Sequence, residues 1–340
     1  MSTVLVTGGT GFVASHCLLR LLQDGYNVKT TVRSLKKEQN VRSMMEKAGI
    51  SDLSRLSFVV ADLNNDEGWS EAVKDCQYVL HVASPVPIEQ PKDANELIKP
   101  ARDGTLRVLR AAKAAGVKRV VYTSSVVAVG YGHGHQDKPF TEKDWTNTEG
   151  PNVSAYGKSK TLAERAAWDY IEKEGGDLEL SVVNPAGIYG PVLGPHYSSS
   201  LVLVKLMLEG QLFVVPKLYL AVVDVRDLTD LILRAMLDPK AKGERFLATD
   251  GETLSMYQCA RALQDRLGDR FKNVARIVIP DWVMYTVSHF SSTLDGVLTE
   301  LDLRLYSNDK ARTVLGWKPH SSADALVATA ESLMKQESEQ

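Results

Sequence analysis

Short apolar runs alternate with longer amphipathic segments along the first half of the chain. Apolar runs of about four to eight residues predict strands, and leucines or alanines recurring every three or four residues predict helices. The predicted strands cover 3–7, 27–32, 56–61, 78–83, 120–125 and 179–183, and the helices between them include 15–24, 103–115 and 154–173. This alternation is typical of a parallel sheet, with a ligand crevice at the carboxyl ends of its strands.

The alternation becomes irregular after 184–191, a segment rich in proline and glycine that follows the sixth strand. Helical runs are then predicted at 199–209, 228–237, 255–267 and 322–335, and short strands at 211–215, 221–225, 244–249 and 274–279. Such irregularity suits a second lobe that is joined to the first domain by returning strands.

A glycine turn lies between the first strand and the first helix. Gly8 and Gly11 are spaced so that the backbone can approach a pyrophosphate, and the helix N-terminus supplies N–H donors and a positive dipole. We therefore expect a dinucleotide to contact Gly8, Gly11, Phe12 and Val13. The alternative is a turn that binds no ligand.

These patterns together predict an α/β fold, a Rossmann doubly wound parallel sheet with a smaller, mixed C-terminal substrate lobe. We place the cofactor domain at 1–190, with returning segments at about 221–250 and 302–315. The substrate-binding lobe is expected mainly at 191–340.

The end of the second predicted strand indicates which dinucleotide is bound. An acidic residue there would hold the ribose 2′-hydroxyl of NAD, but Val32 is followed by Arg33, with Lys36 and Lys37 just beyond. A guanidinium can bind a 2′-phosphate and stack on adenine, so we expect NADP(H) as the cofactor. Lys37 is a further candidate for the phosphate, although the two lysines could equally be a solvated surface pair.

Two further strand ends carry candidate cofactor contacts. Asp62 and Leu63 end the third strand, which would bring the Asp62 carboxylate to the adenine amino group; its alternative role is to cap a helix at 66–74. Along the cofactor's ribose we expect Val82, Ala83 and Ser84, at the end of the fourth strand.

Tyr156 and Lys160 stand four apart in a predicted helix, so their side chains leave the same face. A cation about 4 Å from the phenol, at an effective dielectric of about 20, would favour the phenolate by roughly three pKa units. This lowering would bring the tyrosine into working range as a proton donor or acceptor. Tyr306 and Lys310 repeat the spacing, but only Tyr156 has a hydroxyl-bearing strand end upstream, 123–125.

The charge and the cysteines of the chain limit the kinds of partner that we expect it to bind. The 340 residues carry a formal charge of −2, and acidic and basic residues are interspersed. This pattern indicates no basic surface that would bind nucleic acid or an anionic membrane. The three cysteines are scattered and form no metal spacing, and His133-Gly134-His135 has no second ligand cluster, so no metal is expected. We expect a small-molecule partner and a cytoplasmic protein that is a monomer or a homodimer.

Several motifs together resemble the extended short-chain dehydrogenase/reductases, and within them the dihydroflavonol 4-reductase-like branch, which includes microbial aldehyde and ketone reductases. The resemblance covers nearly the whole length. Its motifs are the glycine turn with Gly8, Gly11 and Ala14; His81-Val82-Ala83-Ser84-Pro85; Thr123-Ser124-Ser125; Tyr156 with Lys160; Asn184-Pro185 through Gly190-Pro191; Asp224-Val225-Arg226-Asp227; and Leu315-Gly316-Trp317-Lys318-Pro319.

The resemblance implies a role for each site residue. Tyr156 would be the general acid, Lys160 would lower its pKa and hold the nicotinamide ribose, and Ser125 would be a second donor to the substrate carbonyl, with Ser124 as the alternative. Arg33 would take the 2′-phosphate. The residues expected around the nicotinamide are Pro185 and Ile188, and Thr123 is counted with the cofactor contacts.

The chain departs from plant flavonoid reductases at Val129, where they carry an asparagine that holds the flavonoid's hydroxyls. We therefore predict an NADPH-dependent carbonyl reductase acting on a neutral or weakly polar aldehyde or ketone. One alternative is a nucleotide-sugar epimerase or dehydratase that retains NAD, although only Lys205 and Lys217 offer cations between 191 and 223 for a second diphosphate. Another is a regulator that senses dinucleotide without turning it over.

Overall fold

A seven-stranded parallel sheet forms the centre of the protein, which we describe from a computed structural model. The structure describes residues 2–84, 93–134, 136–194, 199–212, 214–268, 271, 277–279 and 303–338. The strands lie in the order β10-β6-β5-β4-β1-β2-β3, and every neighbouring pair is parallel. Their bounds are β1 Thr3–Val6, β2 Asn27–Val32, β3 Leu56–Val60, β4 Tyr78–His81, β5 Arg119–Thr123, β6 Glu179–Pro185 and β10 Arg245–Ala248.

Helices cover both faces of this sheet and bury two separate apolar cores. On one face lie α1 Phe12–Gln23, α2 Glu38–Lys47, α7 Val225–Leu237 and α9 Asp309–Leu315, whose apolar side chains join one cluster. On the other face lie α3 Trp69–Val73, α4 Asn95–Ala114 and α5 Ala155–Glu174, whose side chains join another. The strand order reverses between β1 and β4, and such a reversal opens the crevice in which doubly wound sheets bind their ligands.

Helix α5 begins where its sequence predicts. Ser154 is extended at φ −65° and ψ 159°, and its hydroxyl accepts a hydrogen bond from the Gly157 N–H at 3.1 Å. An N-cap of this kind satisfies one of the N–H groups that a helix start leaves unpaired. The cap fixes Tyr156 in the first turn, at the carboxyl end of the sheet.

A smaller layer follows β6. β7 Gly187–Tyr189, β9 Tyr219–Asp224 and β11 Thr253–Ser255 form one mixed sheet, in the order β11-β9-β7, and β8 Val214–Pro216 pairs with β12 Ile277–Ile279. The helices of this layer are α6 Ser199–Leu208, α8 Met256–Leu267 and α10 Ser322–Ser338. They pack around a third apolar cluster that includes Leu201, Val222 and Leu326. None of the helices that the structure describes is long and apolar enough to cross a membrane.

The predicted α/β fold class is confirmed, and so are the six strands of the first half. Three details differ from the prediction. The segment at 221–225, expected to return to the large sheet, is β9 of the small sheet, while β10 does return. Helix α4 begins at Asn95, well before residue 103, and α2 was not predicted, since its exposed face is strongly polar. The division into a cofactor domain and a substrate lobe stays a prediction.

Candidate active site

The turn after β1 requires glycine for two physical reasons. Gly8 has φ +72°, where side chains are strained, and a Cβ on it would lie 3.0 Å from the Cβ of Ala83. The turn is closed by the Gly11 N–H, which donates to the Gly8 carbonyl at 2.8 Å, and by the Gly8 N–H, which donates to the Thr31 hydroxyl at 2.8 Å. The backbone is therefore fixed close to the end of β4.

The N-terminus of α1 fits a pyrophosphate. Its cap is Gly11, which offers no side-chain acceptor, and its first turn contains no acidic residue. Ser15 is the first residue of this helix whose N–H reaches a described acceptor, the Gly11 carbonyl at 2.9 Å, so the N–H groups of Phe12 and Val13 are left for a ligand. The Phe12 ring packs edge-on against His16, with ring centroids 5.5 Å apart.

The cations after β2 lie on the surface. Arg33, Lys36 and Lys37 are all exposed, and Lys37 closes a short 3-10 turn, Leu35–Lys37. Among the described residues none of the three has a carboxylate partner within ion-pair distance. Their placement at a strand end beside the glycine turn is compatible with binding a phosphate.

Asp62 does not cap a helix. Its Oδ1 accepts hydrogen bonds from the backbone and side-chain nitrogens of Asn64, at 2.9 and 3.1 Å, so it initiates an Asx turn. The helix that follows, α3, is capped by Gly68 in the left-handed conformation. The capping alternative for Asp62 is therefore wrong, and an adenine contact stays a prediction. Leu63 packs against Gly104 of α4, where a Cβ would come within 2.9 Å of the Leu63 Cβ.

A hydrogen-bonded corner fixes the end of β4. The Thr7 hydroxyl accepts from the N–H groups of Val82 and Ala83, at 3.1 and 3.0 Å, and also contacts His81 Nδ1 at 3.0 Å. Because the hydroxyl has one hydrogen and already accepts twice, it donates to Nδ1, and the His81 proton must be on Nε2. Burial lowers the pKa of His81 to about 3, so the ring is neutral. Ser84 follows this corner, and Pro85 lies outside the described residues.

Tyr156 and Ser125 meet at the carboxyl end of β5. The Ser125 side chain interacts with the Tyr156 phenol, where it acts to lower the pKa, and the Ser125 hydroxyl lies 3.5 Å from the Pro185 carbonyl. Ser125 is extended at φ −167° and caps the short 3-10 turn Val126–Ala128. Both side chains keep part of their surface exposed, so a ligand in the crevice can reach them.

Lys160 lies one helical turn beyond Tyr156 and is buried, with 4% of its surface exposed. Its Nζ is 5.9 Å from the centre of the Tyr156 ring. Burial lowers the pKa of Lys160 to about 8, while the Glu164 carboxylate acts in the opposite direction. The ammonium is thus within the range of a cation–π contact with the phenol ring.

The expected lowering of the tyrosine pKa is not found in this structure. Burial raises the pKa of Tyr156 to about 12, and the Ser125 side chain opposes it. The expectation assumed that the charge of Lys160 has the largest effect on the phenol, whereas desolvation of the phenolate has the largest effect in this structure. The hydroxyl is therefore protonated at neutral pH.

The remaining predicted contacts lie at the same edge of the sheet. Pro185 ends β6 and Ile188 is in β7, where it packs on the core between α1 and the sheet. The Thr123 hydroxyl is buried and has no hydrogen-bond partner among the described residues, which leaves it available to a polar ligand. The Ser124 hydroxyl is in the same state, whereas Ser125 is the serine whose side chain interacts with Tyr156.

Other candidates have structural roles. Val129 is fully buried, with Val126 and Phe140 in an apolar cluster, so it belongs to the core rather than to a pocket wall. His133 Nε2 contacts the Trp145 carbonyl at 2.8 Å, and His135 lies outside the described residues. In the described part of the chain, no group of three possible metal ligands is brought together.

The second Tyr-x-x-x-Lys pair is structural. Tyr306 is buried in a β-bridge to Phe140, and Lys310 pairs with Glu244 at 2.5 Å. Because α9 begins only at Asp309, the two residues do not share a helix face.

Sequence reasoning missed a buried charged group behind the site. Glu164 is on α5, one turn beyond Lys160, and it pairs with Arg245 of β10 at 2.6 Å. Asn184 of β6 donates to the same carboxylate at 2.7 Å and to the Ser125 carbonyl at 3.2 Å. The sequence signal that could have indicated this group is an acidic residue on the same face of α5 as Tyr156 and Lys160.

Comparison with known proteins agrees with this geometry. The model of the NAD dependent epimerase/dehydratase family matches residues 4–248. Tetraketide alpha-pyrone reductase 2 of Arabidopsis thaliana is 37% identical over 249 residues, 72% of this chain and 76% of that protein. Dihydroflavonol 4-reductase of Hordeum vulgare is 33% identical over 275 residues, 77% of this chain and 74% of that protein.

A solved structure resembles the whole fold. The yeast methylglyoxal/isovaleraldehyde reductase Gre2, crystallised with NADPH, superposes with a TM-score of 0.80 at 25% identity, covering 99% of this chain and all of the other. The resemblance inferred from sequence motifs is thus confirmed. The chain belongs to the NAD dependent epimerase/dehydratase family and, within it, to the extended short-chain dehydrogenase/reductases of the dihydroflavonol reductase-like branch.

Proposed function

We propose that this protein is an NADPH-dependent carbonyl reductase that converts an aldehyde or ketone into an alcohol, with Tyr156 as its general acid. One observation carries the proposal: Tyr156 lies beside Ser125 and buried Lys160, at the carboxyl end of a parallel sheet. Membership of a nicotinamide-dependent family and reductases among its relatives support it.

The protein's own groups supply the proton and the electrostatic field. When bound, NADPH supplies a hydride. Tyr156 is protonated at neutral pH, since burial raises its pKa, so it can donate to the oxygen on which negative charge develops during reduction. Ser125 points a second donor to the same position, and such donors are most effective where water is excluded.

The cofactor would be held along the edge formed by β1, β2, β4 and β5. The N–H groups at the start of α1 would bind the pyrophosphate, and Arg33 would bind the 2′-phosphate, with Lys37 as a further candidate. Val82, Ala83 and Ser84 would line the ribose, Asp62 and Leu63 the adenine, and Thr123, Pro185 and Ile188 the nicotinamide side. The unpaired Thr123 hydroxyl and the uncapped α1 fit such a ligand.

The substrate class is a neutral or weakly polar carbonyl compound. Between 191 and 223 the only full cations are Lys205 and Lys217, too few for a sugar nucleotide with its own diphosphate. Relatives named tetraketide alpha-pyrone reductase, dihydroflavonol 4-reductase and methylglyoxal/isovaleraldehyde reductase support a carbonyl acceptor.

The test is loss of NADPH absorbance with a panel of aldehydes, α-ketoesters, aryl ketones and diketones. We expect oxidation of NADPH by several weakly polar carbonyls, and a much lower rate with NADH. A protein that purifies with tightly bound NAD and consumes NADPH with none of the panel would contradict the proposal and indicate an epimerase or dehydratase.

A further inference from the structure

A buried carboxylate lies directly behind the proposed catalytic residues. Glu164 has no exposed surface and follows Lys160 by four residues on α5, so it shares the helix face with both Lys160 and Tyr156. A buried carboxylate is stable only when it is paired and hydrogen-bonded. Glu164 has such partners.

Three elements supply partners to Glu164. Arg245 Nε of β10 donates to Oε1 at 2.6 Å, Asn184 Nδ2 of β6 donates to Oε2 at 2.7 Å, and Trp168 Nε1 of α5 lies 3.3 Å from Oε1. Arg245 is itself held by the carbonyls of Glu142 and Asp144, at 2.9 and 3.0 Å. The carboxylate is therefore held in one position.

The network reaches the site by two routes. Asn184 donates its second amide hydrogen to the Ser125 carbonyl at 3.2 Å, which fixes the backbone of the serine beside Tyr156. Lys160 lies on the other side, one helical turn from Glu164, where the carboxylate favours the charged ammonium. One carboxylate and its partners thus influence the backbone position of Ser125 and the charge of Lys160.

We propose that Glu164 is a positioning residue that keeps Lys160 protonated at the working pH, and that Asn184 and Arg245 hold its carboxylate in place for this role. The inference rests on the proposed function, because it assigns a purpose to the charge of Lys160. Without Glu164, burial alone would determine the protonation of this lysine.

The other ionisable groups facing Lys160 do not replace Glu164. His81 of β4 is neutral, with its pKa lowered to about 3, partly by Lys160 itself. Tyr122 of β5 and Tyr156 of α5 are neutral at working pH, since burial raises the pKa of each. Arg245 of β10 is a cation and cannot stabilise a second one. Among these neighbours Glu164 is the one that favours the ammonium.

The experiment is the pH dependence of NADPH binding, followed by fluorescence between about pH 6.5 and 9.5. In the wild type, affinity is expected to fall as Lys160 loses its proton, near pH 8. In Glu164→Gln, which keeps the shape but removes the charge, the midpoint is expected to move down by about one pH unit. The alkaline limb of kcat/KM for a carbonyl substrate should move in the same direction.

Two further variants separate charge from folding. Glu179→Gln breaks another ion pair, between partly exposed Glu179 and buried Arg119 at 2.8 Å, at the opposite ends of β5 and β6, and should reduce stability without moving the midpoint. If Glu164→Gln does not fold, Glu164→Gln/Arg245→Met also removes the unpaired guanidinium and should still lower the midpoint, since the carboxylate that favours the ammonium is absent from it.

Either of two results would overturn the proposal: a flat wild-type binding profile, or the same midpoint in the wild type and in the Glu164 variant that folds. Binding also separates this failure from failure of the proposed function. A protein that binds NADPH but reduces no carbonyl compound refutes the reductase, while the shift of its binding profile still reports on Glu164.

Discussion

At the scale of single residues, burial decides the protonation of the site. The pKa of Tyr156 is raised to about 12 and that of Lys160 is lowered to about 8, so in this structure the tyrosine keeps its proton and the lysine holds its own less tightly. A protonated phenol suits a group that must donate a proton during reduction. The residue types were predictable from sequence, but the direction of the Tyr156 shift depended on burial and distance, which a spacing of four residues does not determine.

Arg33 provides a residue-scale prediction about cofactor choice. Arg33→Asp should weaken NADPH binding about ten- to a hundredfold, because it replaces a charge-assisted contact to the 2′-phosphate by repulsion. NADH binding should change little, so the preference reverses. Lys47→Asp, the same charge change at the exposed far end of α2, is the matched control. Titration of both variants with both cofactors checks this, and a wild type that already prefers NADH would refute the role of Arg33.

At the scale of elements, the glycine turn and the strand ends assemble the site. Strands were predictable because each is a short apolar run, and β2 has the predicted bounds, Asn27–Val32. The network of Glu164, Asn184 and Arg245 was not, because its members lie on three elements and up to 81 positions apart. Sequence periodicity shows which face of α5 is buried, but pairing across the sheet appears only in three dimensions.

Gly8 allows an element-scale test with a close control. Gly8→Ala and Gly116→Ala both place a side chain at positive φ, +72° and +70°, and each should cost about 1–2 kcal/mol of unfolding free energy. Only Gly8→Ala meets a neighbour, the Cβ of Ala83, whereas the site of Gly116 is open. Chemical denaturation should show that the positive φ lowers the free energy of unfolding by similar amounts in the two variants. Any additional loss should occur in Gly8→Ala, because of its contact with Ala83. Titration with NADPH should show an affinity loss of about tenfold or more in Gly8→Ala alone.

If Gly8→Ala binds NADPH as tightly as the wild type does, the assignment of this turn to the pyrophosphate is contradicted. If both variants lose affinity to the same extent, the loss indicates a general effect of reduced stability.

At the scale of the whole molecule, two buried histidines couple folding to pH. Burial lowers the pKa of His16 to about 4 and that of His81 to about 3, from an ordinary value near 6.5. The folded protein keeps both rings neutral while the unfolded chain takes up protons below pH 6.5. Their contribution to stability is therefore fully present above pH 6.5 and is lost as the pH falls towards the folded-state values.

The protonation of these two histidines predicts how much the free energy of unfolding falls at acid pH. Between pH 7.5 and 5.5 the two histidines together should remove about 3 kcal/mol of unfolding free energy. In His16→Gln, which can still donate to the Pro191 carbonyl, the loss should be about half as large. Urea unfolding at the two pH values measures it, with His133→Gln at an exposed position as the control. Equal losses in the wild type and His16→Gln would show that His16 is not the source.

The measurement that tests the central claim most directly compares wild type and Tyr156→Phe in NADPH binding and in NADPH oxidation by a carbonyl substrate. Removing the hydroxyl should leave the binding affinity within a few-fold and reduce turnover about a hundred- to ten-thousandfold, the usual contribution of a general acid. A variant that binds NADPH normally and keeps more than about a tenth of the wild-type rate would show that Tyr156 is not the proton donor.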